Sequence, residues 1–181
     1  MKEALDWIAH IAIAIVIGFL IVTYVAQITV VNGSSMEKTL HNSDRLIIEK
    51  ISPRFGKLNR GDIVTINAPK NDPQLSLEKS PIIKRVIGVE GDTVEIRDGK
   101  VYVNGEALEE DYINGAATLE VEHRYSKVQV PKGYIYVMGD NRLKNASLDS
   151  RKFGLVKLDY VGGKAVLRFF PFDKLGLLMR V

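Results

Sequence analysis

The sequence predicts a mainly β protein carried by a single N-terminal membrane-spanning helix, and three observations lead there. Residues 8 to 31 are apolar apart from His10, Thr23, Gln27 and Thr29, a run long enough to cross a hydrocarbon layer of about 30 Å as helix. The rest of the chain is built of short runs rich in Val and Ile, separated by Gly, Pro, Asn and Asp, with no amphipathic helix of useful length. Those runs follow one another closely, which favours a coiled sheet or β-barrel-like domain.

Composition sets the bounds. Of 181 residues, the span leaves about 150, enough for one domain with a sizeable core and a small subdomain. Hydrophobic residues make up 46% and charged residues 26%, and a net charge of +3, evenly spread, gives no reason to expect nucleic acid as a partner. A mildly basic domain beside anionic lipid is the better expectation. The absence of cysteine excludes a thiol nucleophile, a cysteine-ligated zinc site and a disulfide framework.

In chain order, residues 1–6 are a short polar start, and 7–31 form the anchor, with Trp7 and Tyr24 suited to its two interfaces. As helix the anchor would measure roughly 37 Å, so it crosses with tilt or ends short of Val31. A cleaved leader is disfavoured, since the apolar core exceeds the roughly 7 to 15 residues usual there and the start has almost no positive excess. Residues 32–181 form the β domain. Arg45–Ile51 and Asp62–Ile66 read as strands, residues 67–81 with Pro69, Pro73 and Pro81 as a mobile surface loop, and Ile82–Gly88 as a strand with Lys84 in its middle. Residues 93–133 read as a small inserted β-hairpin subdomain: Asp98-Gly99 and Asn104-Gly105 are two-residue turns, and 120–130 returns as strand. Tyr134–Met138 is a further strand, and the apolar tail closes the core or touches lipid.

The stretch Gly33-Ser34-Ser35-Met36-Glu37-Lys38-Thr39-Leu40 places two hydroxyls just beyond the anchor. A nucleophilic serine needs a base. His10 lies in the span, His41 is only six residues from Ser35, and His123 sits in a charged, solvated stretch, so a Ser-His-Asp arrangement is disfavoured. Three dispersed histidines also give no metal-ligand spacing, and neither metal nor cofactor is expected. Lysine serves as a base when burial disfavours its ammonium. Lys84 is best placed for that, flanked on its face by Ile82 and Val86, although periodicity alone favours an ordinary strand lysine turned to water. Spacing alone does not separate Ser34 from Ser35.

Four ordered segments then carry a resemblance: Gly33 to Leu40, Arg60-Gly61-Asp62-Ile63-Val64, Lys84-Arg85-Val86-Ile87-Gly88 with Gly91-Asp92, and Gly139-Asp140-Asn141-Arg142 with Ser147-Leu148-Asp149-Ser150-Arg151. With the single span they cover nearly the whole chain, which resembles type I signal peptidase, in the compact form of Gram-positive bacteria. The resemblance implies a cell-membrane protein with a cytoplasmic N-terminus and an extracytoplasmic peptidase domain that removes signal peptides from secreted preproteins after small residues. It implies Ser35 as nucleophile and Lys84 as general base. The backbone N–H of Ser35, helped from around Gly33, would be the oxyanion hole. Ser147 would orient the lysine, Asp149 and Arg151 would form a supporting ion pair, and Asp140 a structural turn. Met36, Leu40, Ile82 and Ile83 would wall the pockets for the small side chains. The bilayer and secretory preproteins are the implied partners.

Departures from the family pattern are Lys38 and Glu90 where proline is usual, and four residues rather than two between Arg142 and Ser147. Lys38 is an alternative base. A catalytically weak or inactive relative, acting as an anchored binding or accessory protein, is the alternative function; a self-cleaving repressor is disfavoured because no helix-turn-helix segment is present.

Overall fold

The computed structural model describes residues 2–69, 72, 75 and 81–178. Helix α1 runs over Lys2–Leu20 and continues as one π-helical turn, Ile21–Val25. Its apolar window, Asp6–Val25, has a mean hydropathy of 2.6 and no part buried, and it is long and apolar enough to cross a membrane. Of the two expected alternatives, a tilted helix reaching Val31 or one ending short of it, the structure takes the second, with helix ending at Val25. Ala26 turns to extended backbone (φ −153°, ψ 151°), and Ala26–Val30 is strand β1. The cause is pairing: those five residues lie antiparallel against strand β2, Arg45–Glu49, from Ala26 opposite Glu49 to Val30 opposite Arg45. A neighbouring strand thus outcompetes the last turns of helix.

The end of the helix is clamped from the sheet. Lys50 Nζ donates to the Val22 and Thr23 carbonyls at 2.9 and 3.4 Å. Arg54, in the short helix α2 (Ile51–Arg54), donates to Tyr24 and Thr23 carbonyls at 2.8 and 3.2 Å, and its guanidinium lies 5.3 Å from the Tyr24 ring centre. Carbonyls at a helix C-terminus lack intrahelical partners and carry partial negative charge, so cations there satisfy both needs.

The main sheet adds strands β3 (Ile63–Ile66), β4 (Ile82–Gly88), β9 (Tyr134–Met138), β10 (Val156–Lys157), β11 (Val161–Phe170) and β12 (Gly176–Leu177). Its order is β1-β2-β11-β3-β4-β9-β10, with β12 also on β11, every pair antiparallel, and it curls into a half-barrel. Register irregularities along the ten-residue β11 bend it so that it joins β2 on one side to β3 on the other. A second sheet, in the order β7-β6-β5-β8, contains β5 (Thr93–Arg97), β6 (Lys100–Val103), β7 (Glu106–Ala107) and β8 (Lys127–Gln129). Its two tight turns hold Asp98, Gly99, Asn104 and Gly105 at φ of 50, 74, 55 and 87°, the left-handed pairs that match strand twist.

Strand was expected over 120–130, but only Lys127–Gln129 pairs; His123–Tyr125 is a 3-10 turn whose exposed charges have no face to bury. Most of the expected loop 67–81 lies outside the described residues, yet Leu75 is buried in the core and Asp72 accepts from the Leu75 N–H and the Tyr160 hydroxyl, so that part is packed.

Cross-strand register also sets an outer apolar row: Ile28 opposite Ile47, Ile47 opposite Leu167, Leu167 opposite Leu177. Residues opposite one another share a face. Ile28 and Leu177 are 66% and 71% exposed, so this row faces out, beginning on the strand that leaves the helix.

Candidate active site

Strand β4 is covered on both faces. Met36, Leu40, Leu46, Ile48, Ile63 and Ile83 form one buried cluster, and Val64, Ile66, Val86, Ile135, Val137 and Phe153 are among another. That double cover buries Lys84 to 3% exposure. Its Nζ lies 2.8 Å from Ser35 Oγ and 2.8 Å from the Ile83 carbonyl oxygen. Burial is the largest influence on the amine and pulls its pKa down to about 8; Asp149 and Asp140 push the other way, and Arg151 adds to the lowering. Ser35 is held by a turn in which the Leu40 N–H donates to the Met36 carbonyl at 2.8 Å, sinking Met36 and Leu40 into the core as an anchor below the serine.

The structure separates the two serines. Ser35 Oγ meets Lys84, whereas the Ser34 carbonyl accepts from Asn141 Nδ2 at 3.0 Å. Lys38 points elsewhere, donating to the Asp111 carbonyl at 3.2 Å on the surface.

Several expected roles meet different geometry. The Gly33 N–H donates to Asn42 Oδ1 at 3.0 Å and is thereby occupied, whereas the Ser35 N–H has no acceptor among the described residues. Asp140 is no simple turn residue: fully buried, it takes two hydrogen bonds from Arg85 at 2.8 and 2.6 Å and one from Thr39 Oγ1 at 2.5 Å. Burying a carboxylate requires a partner of this kind. Ser147 Oγ is buried and, among the described residues, makes no hydrogen bond of normal geometry to Lys84 or any other group, although it lies near enough to Asp149 to help lower that carboxyl. Ser147 lies against Gly139, where a Cβ would clash with it and with the Ser35 carbonyl.

Asp149 and Arg151 pair at 2.8 Å, both buried. Asp149 also caps helix α3 (Ser150–Phe153) by accepting from the Arg151 N–H, and accepts from the Gly139 N–H at 3.1 Å. Burial raises its pKa, but the Arg151 guanidinium and the Gly139 N–H outweigh that and hold it below the usual carboxylate range. Of the expected pocket residues, Met36, Leu40 and Ile83 share one cluster, while Ile82 packs against the other; alternation along a strand divides neighbours in this way.

Sequence reading gave no site role to Arg85, Thr39, Glu110, Asn141 or Arg142. Arg142 is buried, donates to the Gly139 carbonyl at 2.9 Å and Thr118 Oγ1 at 2.5 Å, and pairs with Glu110. The available signal was an arginine beside Lys84 in a strand too apolar to leave it solvated, together with an aspartate in a later motif.

Among the described residues no group of three His, Cys, Asp or Glu could hold a metal ion. A neutral amine against a serine hydroxyl, beside a free backbone N–H, can do the chemistry of a serine hydrolase with lysine as base. The model of the signal peptidase, peptidase S26 family matches residues 4–170. A probable signal peptidase I-2 of Synechocystis sp. is 42% identical over 91% of this chain and 72% of its own length. Signal peptidase IB of Staphylococcus aureus is 37% identical over 96% of this chain and 93% of its own. A crystal structure of a signal peptidase I from Enterococcus faecalis is 36% identical, covering 60% of this chain and 96% of that one, with a TM-score of 0.46. The chain belongs to the signal peptidase family, peptidase S26.

Proposed function

We propose that Ser35 is the nucleophile and Lys84 the general base of a peptidase anchored by α1. As a member of its family the chain is a serine endopeptidase, a hydrolase that removes signal peptides from secretory preproteins. The observation that carries the residue assignment is the 2.8 Å approach of a buried Lys84 amine to Ser35 Oγ. With Lys84 neutral, the Ser35 hydroxyl gives its proton to Nζ as Oγ attacks the scissile carbonyl. Lys84 then protonates the leaving amine, and a water, deprotonated in turn by Lys84, hydrolyses the acyl-enzyme. The Ser35 N–H donates to the oxyanion. Asp149 and Arg151 set the field at Lys84.

Substrate fits the sheet. Strand β9 pairs with β4 only over Arg85–Gly88, which leaves Ile82–Lys84 with an open edge on that side among the described residues. An extended preprotein segment adds there as a strand, its small side chains facing Ile83, with the buried Met36 and Leu40 beneath as the floor and Ile82 at the rim. The helix α1 crosses the cell membrane with its N-terminus cytoplasmic and the β domain outside, where translocated preproteins arrive; anionic lipid faces the domain's basic residues, and nucleic acid has no part.

The test is cleavage of a secretory precursor by the full chain in lipid, with product masses, across pH 6 to 10. The expected result is a cut after a small residue, a rate rising with pH through about 8 as Lys84 loses its proton, and no activity in Ser35→Ala or Lys84→Ala. Binding without cleavage at every pH would show instead an anchored binding protein.

A further inference from the structure

Asn141 stands in the site with its part in the chemistry unassigned. Its Nδ2 donates to the Ser34 carbonyl at 3.0 Å and its backbone N–H donates to the Ser35 carbonyl at 3.0 Å. Its Oδ1 accepts from the Leu143 N–H at 3.3 Å, which fixes which end of the amide is nitrogen. One residue therefore holds both carbonyls flanking Ser35. In a trans peptide the carbonyl and the next N–H lie in one plane and point in opposite directions. Holding the Ser34 carbonyl thus aims the Ser35 N–H, the amide that has no acceptor among the described residues.

We propose that Asn141 is a positioning residue that aims the Ser35 amide at the oxyanion; this rests on Ser35 being the nucleophile. The segment around it is gripped from the second side. The Asn114 N–H donates to the Asp140 carbonyl and the Arg142 N–H to the Asn114 carbonyl, both at 2.8 Å. The Arg142 side chain donates to the Gly139 carbonyl and pairs with Glu110. Gly139, lacking a Cβ, lets the Ser35 carbonyl come close enough for the Asn141 N–H to reach it. Preorganisation of this kind matters because a donor aimed in advance requires no reorganisation when charge develops.

The experiment uses the full chain in lipid, with Asn141→Ala and the same-shaped Asn141→Asp, which keeps the backbone donor and loses the side-chain one. Both are expected to lower kcat by roughly 10- to 100-fold, less than removing an oxyanion donor outright, with KM within about twofold. Affinity for a peptide aldehyde, which forms a tetrahedral adduct on Ser35, falls in parallel with kcat. Affinity for an uncleavable peptide with proline after the cut site is kept, and the midpoint of the pH–rate profile stays in place. An unchanged kcat overturns the proposal. So does loss of uncleavable-peptide binding in both variants, which assigns Asn141 to structure, or a moved midpoint, which assigns it to Lys84. Cleavage that survives in Ser35→Ala removes the underlying reading instead, and is seen with Asn141 untouched.

Discussion

A lysine at 3% exposure is held against its own preference for water, and the sign of that cost can be measured. The unfolded chain titrates Lys84 near 10.5 and the fold near 8. Between those values the unfolded state holds the extra proton, so stability rises with pH across that window; below pH 8 the fold carries the whole penalty, about 3 kcal/mol at ~1.4 kcal/mol per pH unit. Lys84→Met should therefore melt higher than the parent at pH 7, with the gap narrowing from pH 8 to 10.5; a lower melting point at pH 7 would count against a burial penalty. The neighbours tune the same group. Arg151→Met leaves Asp149 unpaired beside Lys84, so the acid limb of the pH–rate profile should move to higher pH, at a stability cost of about 3 to 5 kcal/mol for a broken buried pair. Asp149→Asn should move the limb the other way. The approach of Ser35 to Lys84, 2.8 Å in the structure, was expected from an ordered set of motifs, although periodicity by itself left Lys84 as a solvated strand residue. What periodicity omits is the second cover: Ile135, Val137 and Phe153, from distant parts of the chain, seal the face that carries Ile82, Lys84 and Val86 and that alternation would give to water.

At the scale of elements, helix, turn and strand are decided by different contests. The hairpin turns at Asp98-Gly99 and Asn104-Gly105 were legible because they need only local backbone chemistry. The end of α1 was not, because Ala26–Val30 is apolar enough for either state and the winner is set by β2, nearly twenty residues later. The clamp on that end was equally invisible, since Lys50 and Arg54 are ordinary charges until the fold brings the Val22, Thr23 and Tyr24 carbonyls to them. Replacing both with alanine should loosen the junction: amide hydrogen exchange over 22–28 rises severalfold, while precursor cleavage in detergent changes little. Unchanged exchange there would show that β1 pairing alone secures the helix.

For the molecule as a whole, the outer row Ile28, Ile47, Leu167 and Leu177 extends the apolar character of the helix onto the sheet, with Phe172, 78% exposed, near the same edge. An exposed apolar band beside a spanning helix faces lipid more cheaply than water. With the full chain in vesicles and Trp7→Phe removing the native indole, Phe172→Trp should be quenched by lipids brominated high on their chains; fluorescence indifferent to them would place this edge in water. The mainly β class and the single helix were legible from short spaced runs and one long one, whereas the joining of β2 to β3 through β11 within the main sheet and the buried ion pairs depend on contacts no local pattern records. Helix α1 passes into β1 with no linker, and β1 is five residues long, about 17 Å at strand rise. The separation of Ser35 from the end of the helix is therefore set by the fold and not by a flexible linker. Inserting two residues between Val25 and Ala26 would shift which bond is reached, without altering a single group that does the cutting.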